Sequence, residues 1–208
     1  MASRAPGEAE MKVETLAQPV SLRDGTQILI RPMDPEDGPA LLEFFRALPE
    51  QDRQYLRDDV TKEEWLERFL RRIDYQTLVP LVAEHEGQIV GSGNLYRSAY
   101  GWTKHVAEIR VSVASAFQRR GLGTAMARVL VRHSISIGVE KMVIHVVDNQ
   151  FAAKRAFEKL GFHQEAILKG HVKDIYGHKR DLVVMSNDVS HLWETMEAMV
   201  ADYSPSSE

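Results

Sequence analysis

Residues 111–124 read Val111-Ser112-Val113-Ala114-Ser115-Ala116-Phe117-Gln118-Arg119-Arg120-Gly121-Leu122-Gly123-Thr124. A valine-rich strand ends, a turn of small residues follows, and a helix begins at Gly121 and Gly123. The first turn of a helix has backbone N–H groups without partners, and glycine lets a bound group approach that backbone closely. Arg119 and Arg120 add positive charge at the same place. Such a turn can hold a pyrophosphate; the same residues also make an ordinary tight turn. The dinucleotide fingerprint needs a third glycine where this chain has Met126, and the Gly-Lys-Ser/Thr ending of a P-loop is absent.

The elements on either side follow from periodicity. Upstream, Val106 to Val113 alternates Ile109, Val111 and Val113 with Glu108, Arg110 and Ser112, so the two sets lie on opposite faces of a strand. Downstream, Leu122, Met126, Val129, Leu130, His133 and Ile137 stand at helical spacing from Gly121 to about Ile137. Met142 to Val147 is a near-continuous apolar strand, the mark of burial on both faces. Phe151 to Leu160 is a short helix stopped by Gly161. Phe162 to about Val172 and about Lys179 to Met185 are the last strands.

Earlier in the chain, Gln27 to Pro32 is a first strand. Asp34-Pro35-Glu36-Asp37 opens a helix with the stripe Leu41, Leu42, Phe44, Phe45 and Leu48. Thr61 and Glu64 form a capping box ahead of Trp65, Leu66, Phe69, Leu70 and Ile73. Leu78–Ala83 and Gln88–Tyr96 make a hairpin around Glu86-Gly87. The order β-α-α-β-β-β-α-β-α-β-β predicts an α/β fold, a mixed sheet with helices on both faces.

The 208 residues suffice for one sizeable core. A net charge of −4 gives no footprint for nucleic acid. The chain has no cysteine, which excludes disulfides, thiolate metal sites and a cysteine nucleophile and agrees with a cytoplasmic setting. Apolar runs fall short of the roughly 18 residues of a membrane span, so no membrane partner is expected. Residues 1–20 read as a polar, disordered leader without a signal-peptide core. Residues 21–187 form the domain, and 188–208 a C-terminal helix and tail. In that helix Leu192, Trp193, Met196 and Met199 or Val200 share a face, which packs on its own domain or joins a homodimer. The histidines form no His-x-x-x-His pair with a nearby acid, so no metal is expected.

Gln118-x-x-Gly121-x-Gly123 after a valine-rich strand resembles the acyl-CoA signature of the GNAT superfamily of N-acetyltransferases. Phe157-Glu158-Lys159-Leu160-Gly161-Phe162 resembles the aromatic-Glu-Lys-x-Gly-Phe ending that follows the family's fifth strand. The resemblance covers roughly Gln27 to Met185. It implies a mostly antiparallel sheet with a splay between the fourth and fifth strands of this reading, Val106–Val113 and Met142–Val147. Acetyl-CoA would lie in that wedge as co-substrate. The backbone of Val111 and Val113 would pair with the pantetheine arm. The N–H groups of Arg119, Arg120, Gly121, Leu122, Gly123 and Thr124 would hold the pyrophosphate beside Gln118. Asn149, Gln150, Ala153 and Phe157 would line the other side.

The resemblance implies attack of a primary amine on the thioester, the acceptor being a protein lysine or a small amine. Glu108 matches a fourth-strand glutamate that family members use as base; a salt bridge to Arg110 is its alternative role and would weaken it as a base. The family's usual tyrosine acid is replaced by Phe157, which has no proton to give. Tyr176, in the last hairpin, is a substitute candidate; a packed aromatic with its hydroxyl at the surface is its alternative role. Glu50, Asp52, Asp58, Asp59, Glu63 and Glu64 either attract a cation or form a solvated face. The rival to an enzyme is an acyl-CoA-binding regulatory module without turnover.

Overall fold

The computed structural model describes residues 15–201. Its strands are β1 (Gln18–Ser21), β2 (Gln27–Pro32), β3 (Leu78–His85), β4 (Gln88–Arg97), β5 (Val106–Val113), β6 (Lys141–Val147), β7 (His163–Lys173) and β8 (Lys179–Asp188). They form one eight-stranded sheet in the order β1-β2-β3-β4-β5-β6-β8-β7. Only β5 and β6 run parallel. The helices are α1 (Gly38–Ala47), α2 (Glu50–Arg53), α3 (Glu63–Leu70), α4 (Leu122–Ser136), α5 (Phe151–Lys159) and α6 (Val189–Ala201).

Local chemistry accounts for the connections. Glu86 and Gly87 both take positive φ, 50° and 79°, the backbone of a tight hairpin turn between β3 and β4. A parallel pair needs a crossover, and α4 provides it between β5 and β6. On one face of the sheet α4 buries Leu122, Met126, Val129 and Leu130 completely. Cβ atoms at Gly91 and Gly93 of β4 would meet the Met126 side chain at 2.9 and 3.2 Å, so these glycines let α4 pack closely. On the other face α1 and α3 bury Leu41, Phe44, Phe45, Trp65 and Phe69. There Phe45 meets Trp65 edge-on with ring centres 5.3 Å apart. Helices thus cover both faces, as the periodicity predicted.

Two expectations need correction. The chain enters the sheet before residue 21: Gln18–Ser21 is a strand paired antiparallel with β2. Its burial alternates over only four residues, too short for a period to stand out. The rest of the expected leader, residues 1–14, lies outside the described residues. Thr61 and Glu64 do not form a capping box. Asp59 accepts both the N–H and the hydroxyl of Thr61, and α3 starts after Lys62 with no side-chain cap. The C-terminal helix follows β8 directly and packs on its own domain, one of the two placements expected. Leu192 is fully buried, and Arg128 of α4 bonds Glu197 at 2.8 Å. The side chains of Met196, Met199 and Val200, and the tail 202–208, lie outside the described set.

The feature that positions the site is a break in pairing. Val106, Ala107 and Glu108 pair with Lys141, Met142 and Val143, and the β5–β6 ladder stops there. Yet β5 stays paired to β4 as far as Val113, and β6 to β8 as far as Val147. Two central strands therefore part company inside the sheet, as the expected splay requires.

Candidate active site

From Ile109 to Val113 the edge of β5 that faces β6 has no strand partner. At the end of this edge the chain turns sharply. Arg119 takes φ 60° and Gly121 φ 97°, and the second value is one that side chains resist. Gly121 is the N-cap of α4, and no side chain caps this helix. The first N–H to bond back into α4 is that of Ala125, to the Gly121 carbonyl at 3.0 Å. The N–H groups of Leu122, Gly123 and Thr124 thus face outward at the positive end of the helix dipole. Gly123 lies over β5: a Cβ there would be 3.7 Å from Val113 and 4.0 Å from Val111.

Two charged or polar groups of the loop have other partners. Arg120 pairs with Asp24 at 2.9 Å and lies against the Phe117 ring. Gln118 folds back, donating to the Val113 carbonyl and to Asp52, each at 3.1 Å. It ties α2 to the end of β5. Arg119 has no ion-pair partner among the described residues.

Across the wedge, Asn149 has a buried side-chain oxygen with no hydrogen-bond partner. A buried acceptor left unmatched costs about 1–3 kcal/mol, so this oxygen suits a donor supplied by a ligand. Gln150 uses its side-chain oxygen locally, accepting from the Val147 N–H at 2.9 Å. Ala153 and Phe157 are half-buried against the core, and Phe157 meets Phe162 edge-on with ring centres 5.5 Å apart.

Glu108 sits where the ladder stops, and its side chain is 19% exposed. Its Oε1 accepts from Arg110 Nε at 2.8 Å and lies 3.0 Å from Arg57 Nη2 and 3.3 Å from His145 Nδ1. Burial pushes the Glu108 carboxyl up, but hydrogen bonds from His145 and Arg110 and the charges of Arg110 and Arg57 outweigh it and hold the group at about 2. Arg57 Nη2 also stands 2.6 Å from His145 Nδ1. A guanidinium only donates, so Nδ1 accepts there and the ring's proton sits on Nε2. His145 therefore does not donate to Glu108 in this arrangement; the two arginines still hold the carboxylate low. Parallel pairing puts Val143, His145 and Val147 on the same face as Glu108 and Arg110.

Beside this cluster is a cavity of about 500 Å³. One wall is the segment after α2, Gln54 to Arg57; the others are β6 with His145 and Val147, Gln150 at the start of α5, and the β7–β8 hairpin. None of the acidic residues named above lines it. Tyr176 sits in the hairpin turn, 77% exposed, so the hairpin does not turn it inward. No group of His, Asp and Glu among the described residues can hold a metal ion, and no helix among them is long and apolar enough to cross a membrane.

The family model "Acetyltransferase (GNAT) family" matches residues 41–162. This chain belongs to the GNAT acetyltransferase family. Among relatives, the mycothiol acetyltransferase of Corynebacterium diphtheriae is 24% identical over 153 residues, 64% of this chain and 48% of that protein. The GNAT chain thus spans about half the length of the curated relative it matches. Among solved structures, RimJ of Mycobacterium smegmatis in complex with CoA-disulfide has a TM-score of 0.73 at 18% identity, covering 90% of this chain and 94% of that one. The yncA protein of Salmonella typhimurium, solved with its cofactor acetyl-CoA, has a TM-score of 0.66 at 24% identity, covering 78% of this chain and 94% of that one. These likenesses are likenesses of fold.

The GNAT site contains one residue that periodicity concealed. His145 lies in a run read as buried on both faces, yet it lines the cavity and touches the Glu108 cluster. The signal was present: its parity in β6 matches that of Glu108 once β5 and β6 are paired in parallel.

The clamp on Glu108 makes a stability prediction. Its folded value lies below the ordinary 4.5, so it stabilises the fold above that value and the contribution disappears as pH falls toward 2. With solvent screening the loss is about 1–2 kcal/mol. Urea midpoints at about pH 5 and about pH 3 should fall further for the parent chain than for Glu108→Gln. Equal falls would mean the carboxylate is not held as described.

Proposed function

We propose that this chain transfers the acetyl group of acetyl-CoA to a primary amine bound in the cavity beside His145 and Glu108. The observation that carries the reading is the end of the β5–β6 ladder at Glu108 and Val143, which opens a wedge toward the uncapped start of α4. A thioester bound there supplies an activated acetyl group and a thiol leaving group.

The residues present fit such a ligand. The Leu122, Gly123 and Thr124 N–H groups bind the pyrophosphate, with Arg119 as nearby charge. The open edge of β5 from Ile109 to Val113 pairs with the pantetheine amides as another strand would. Asn149 Oδ1 accepts from the same arm. Positioning of this kind can supply a large part of the rate of an acyl transfer.

The acceptor must lose a proton before it attacks. Glu108, held low by Arg110 and Arg57, is a poor acceptor of that proton at neutral pH. Its contacts favour the alternative role, a salt bridge to Arg110. We assign proton handling to His145, with Glu108 and Arg57 as positioning residues. For Nε2 to accept, Nδ1 must carry a proton. Glu108 Oε1, 3.3 Å away, is the group to receive that hydrogen bond once Arg57 moves off Nδ1. The proton taken from the ammonium then leaves to solvent or to the departing thiolate. Phe157 has no part in this beyond packing.

The test is thermal stability with acetyl-CoA, with NAD as control. At about 100 times its dissociation constant a ligand stabilises a fold by about 2.7 kcal/mol, roughly 5–10 °C for a domain of this size. A shift with acetyl-CoA alone, followed by thiol release on an amine panel, is the expected result. A shift without thiol release on any amine would instead favour the regulatory module; no shift at millimolar acetyl-CoA would end both readings.

A further inference from the structure

The charges of the cavity are one-sided. Arg57, Lys173 and Arg180 line it, and among the described residues Asp174 is the only carboxylate that does. Asp174 is already satisfied: its side chain is 4% exposed, Oδ1 accepts the N–H groups of Tyr176 and His178 at 3.0 and 2.9 Å, and Oδ2 accepts from Arg180 Nε at 3.2 Å. Its carboxylate is turned into the hairpin. Arg180 keeps both Nη groups without a partner among the described residues. Arg57 uses Nη2 on Glu108 and His145 and keeps Nε and Nη1. Lys173 has no partner among them either. Adding Glu108 and Arg110 behind the wall leaves the balance unchanged, one charge of each sign.

A second cation on the acceptor would meet repulsion here, which disfavours polyamines. Arginine forks match planar and tetrahedral oxyanions. Val172 and Leu182 give the same cavity an apolar wall for a short carbon skeleton, and about 500 Å³ is the size of a metabolite site. We infer that the acceptor is a small amine that also carries an oxyanion, a carboxylate or a phosphonate-type group, held by Arg180 and Arg57. This rests on the transferase reading for the fate of the amine. Binding of the oxyanion does not depend on turnover.

The experiment uses the full chain with acetyl-CoA and scores thiol release. Free α-amino acids and short aminoalkylphosphonates are compared with the amides of the same amino acids, alkylamines, spermidine and a lysine peptide with blocked termini. The expected result is a kcat/KM about 10- to 100-fold higher for the anionic amines than for their amides, the effect of a charge-assisted hydrogen bond. Whether carboxylates or phosphonates lead identifies the oxyanion. Arg180→Gln should erase most of that ratio, chiefly through KM, and Arg180→Lys should retain part of it. The ratio is taken within each preparation, so a loss of folded protein does not imitate the effect.

Thermal shifts by the same amines in the presence of CoA give a second readout. Selective binding of anionic amines without thiol release would uphold the oxyanion site and defeat the transferase reading. Equal or better turnover of amides, spermidine or the lysine peptide would overturn the oxyanion site and leave the transferase intact. Failure of every anionic amine to bind or react would also overturn it.

Discussion

Replacing His145 by alanine is expected to lower kcat by about 100- to 10,000-fold, the usual range for loss of a group that moves a proton in the transition state. Acetyl-CoA should still raise the melting temperature of the variant as it does for the parent, because none of the N–H groups at the start of α4 is touched. The geometry behind this is specific. Glu108 meets two arginines within 3.0 Å, which hold its carboxyl low, so the strongest acid in the cluster is the weakest base. His145 has its Nδ1 against Arg57 and Glu108, which leaves Nε2 as the ring nitrogen without a partner among the described residues. His145→Gln keeps a side chain of similar reach that cannot titrate. A merely structural histidine would be rescued by that change, and a proton-handling one would not. Comparing the pH profiles of kcat for the parent and the two variants separates the roles further. If His145→Gln retains most of kcat with the same profile, the proton passes elsewhere, and Glu108 acting through water becomes the base.

The fold was largely legible because its signals are periodic. Met142, Ile144 and Val146 are buried as a strand face demands, Gly161 ends α5 with φ 92°, and Gly121 starts α4 in the left-handed region. The splay was legible only through resemblance. No local property of Ile109 or Ile144 says that their strands stop pairing; that depends on what holds the outer edges, β4 against β5 and β8 against β6. The cavity was not legible at all. Arg57 lies 88 positions from His145, its hydrogen-bond partner, and Arg180 meets the site only because β8 is inserted between β6 and β7. The acidic residues after α1 drew attention because they are adjacent in sequence. Yet Arg57, among them, is the charged residue of that stretch that lines the cavity. Charge along the chain and charge around a cavity are different quantities, and only topology converts one into the other.

Gly121→Val is expected to weaken acetyl-CoA binding by about 100-fold or more. Gly121 holds φ 97°, a conformation that costs a β-branched residue of order 1–3 kcal/mol, so the loop relaxes toward negative φ. That rotation swings the Leu122 and Gly123 N–H groups away from a common focus. Hydrogen bonds from such groups to an anion are charge-assisted, of order 1.5–3 kcal/mol each. Loss of two therefore reaches the expected range without any change in the wedge. Backbone strain alone would also lower stability, and Gly138→Val separates the two effects. Gly138, just beyond the end of α4, has φ 74°, and a Cβ added there would meet nothing within 4 Å. It therefore carries the same kind of strain at the opposite end of the same helix. Gly138→Val should lose stability and keep its affinity for acetyl-CoA, measured by titration calorimetry below the melting temperature of each variant. Equal affinities for the parent and Gly121→Val would mean that the phosphates do not rest on the start of α4. The turn at residues 118–121 would then serve only to reverse the chain, and the wedge between β5 and β6 would have to hold its ligand by the pantetheine arm alone.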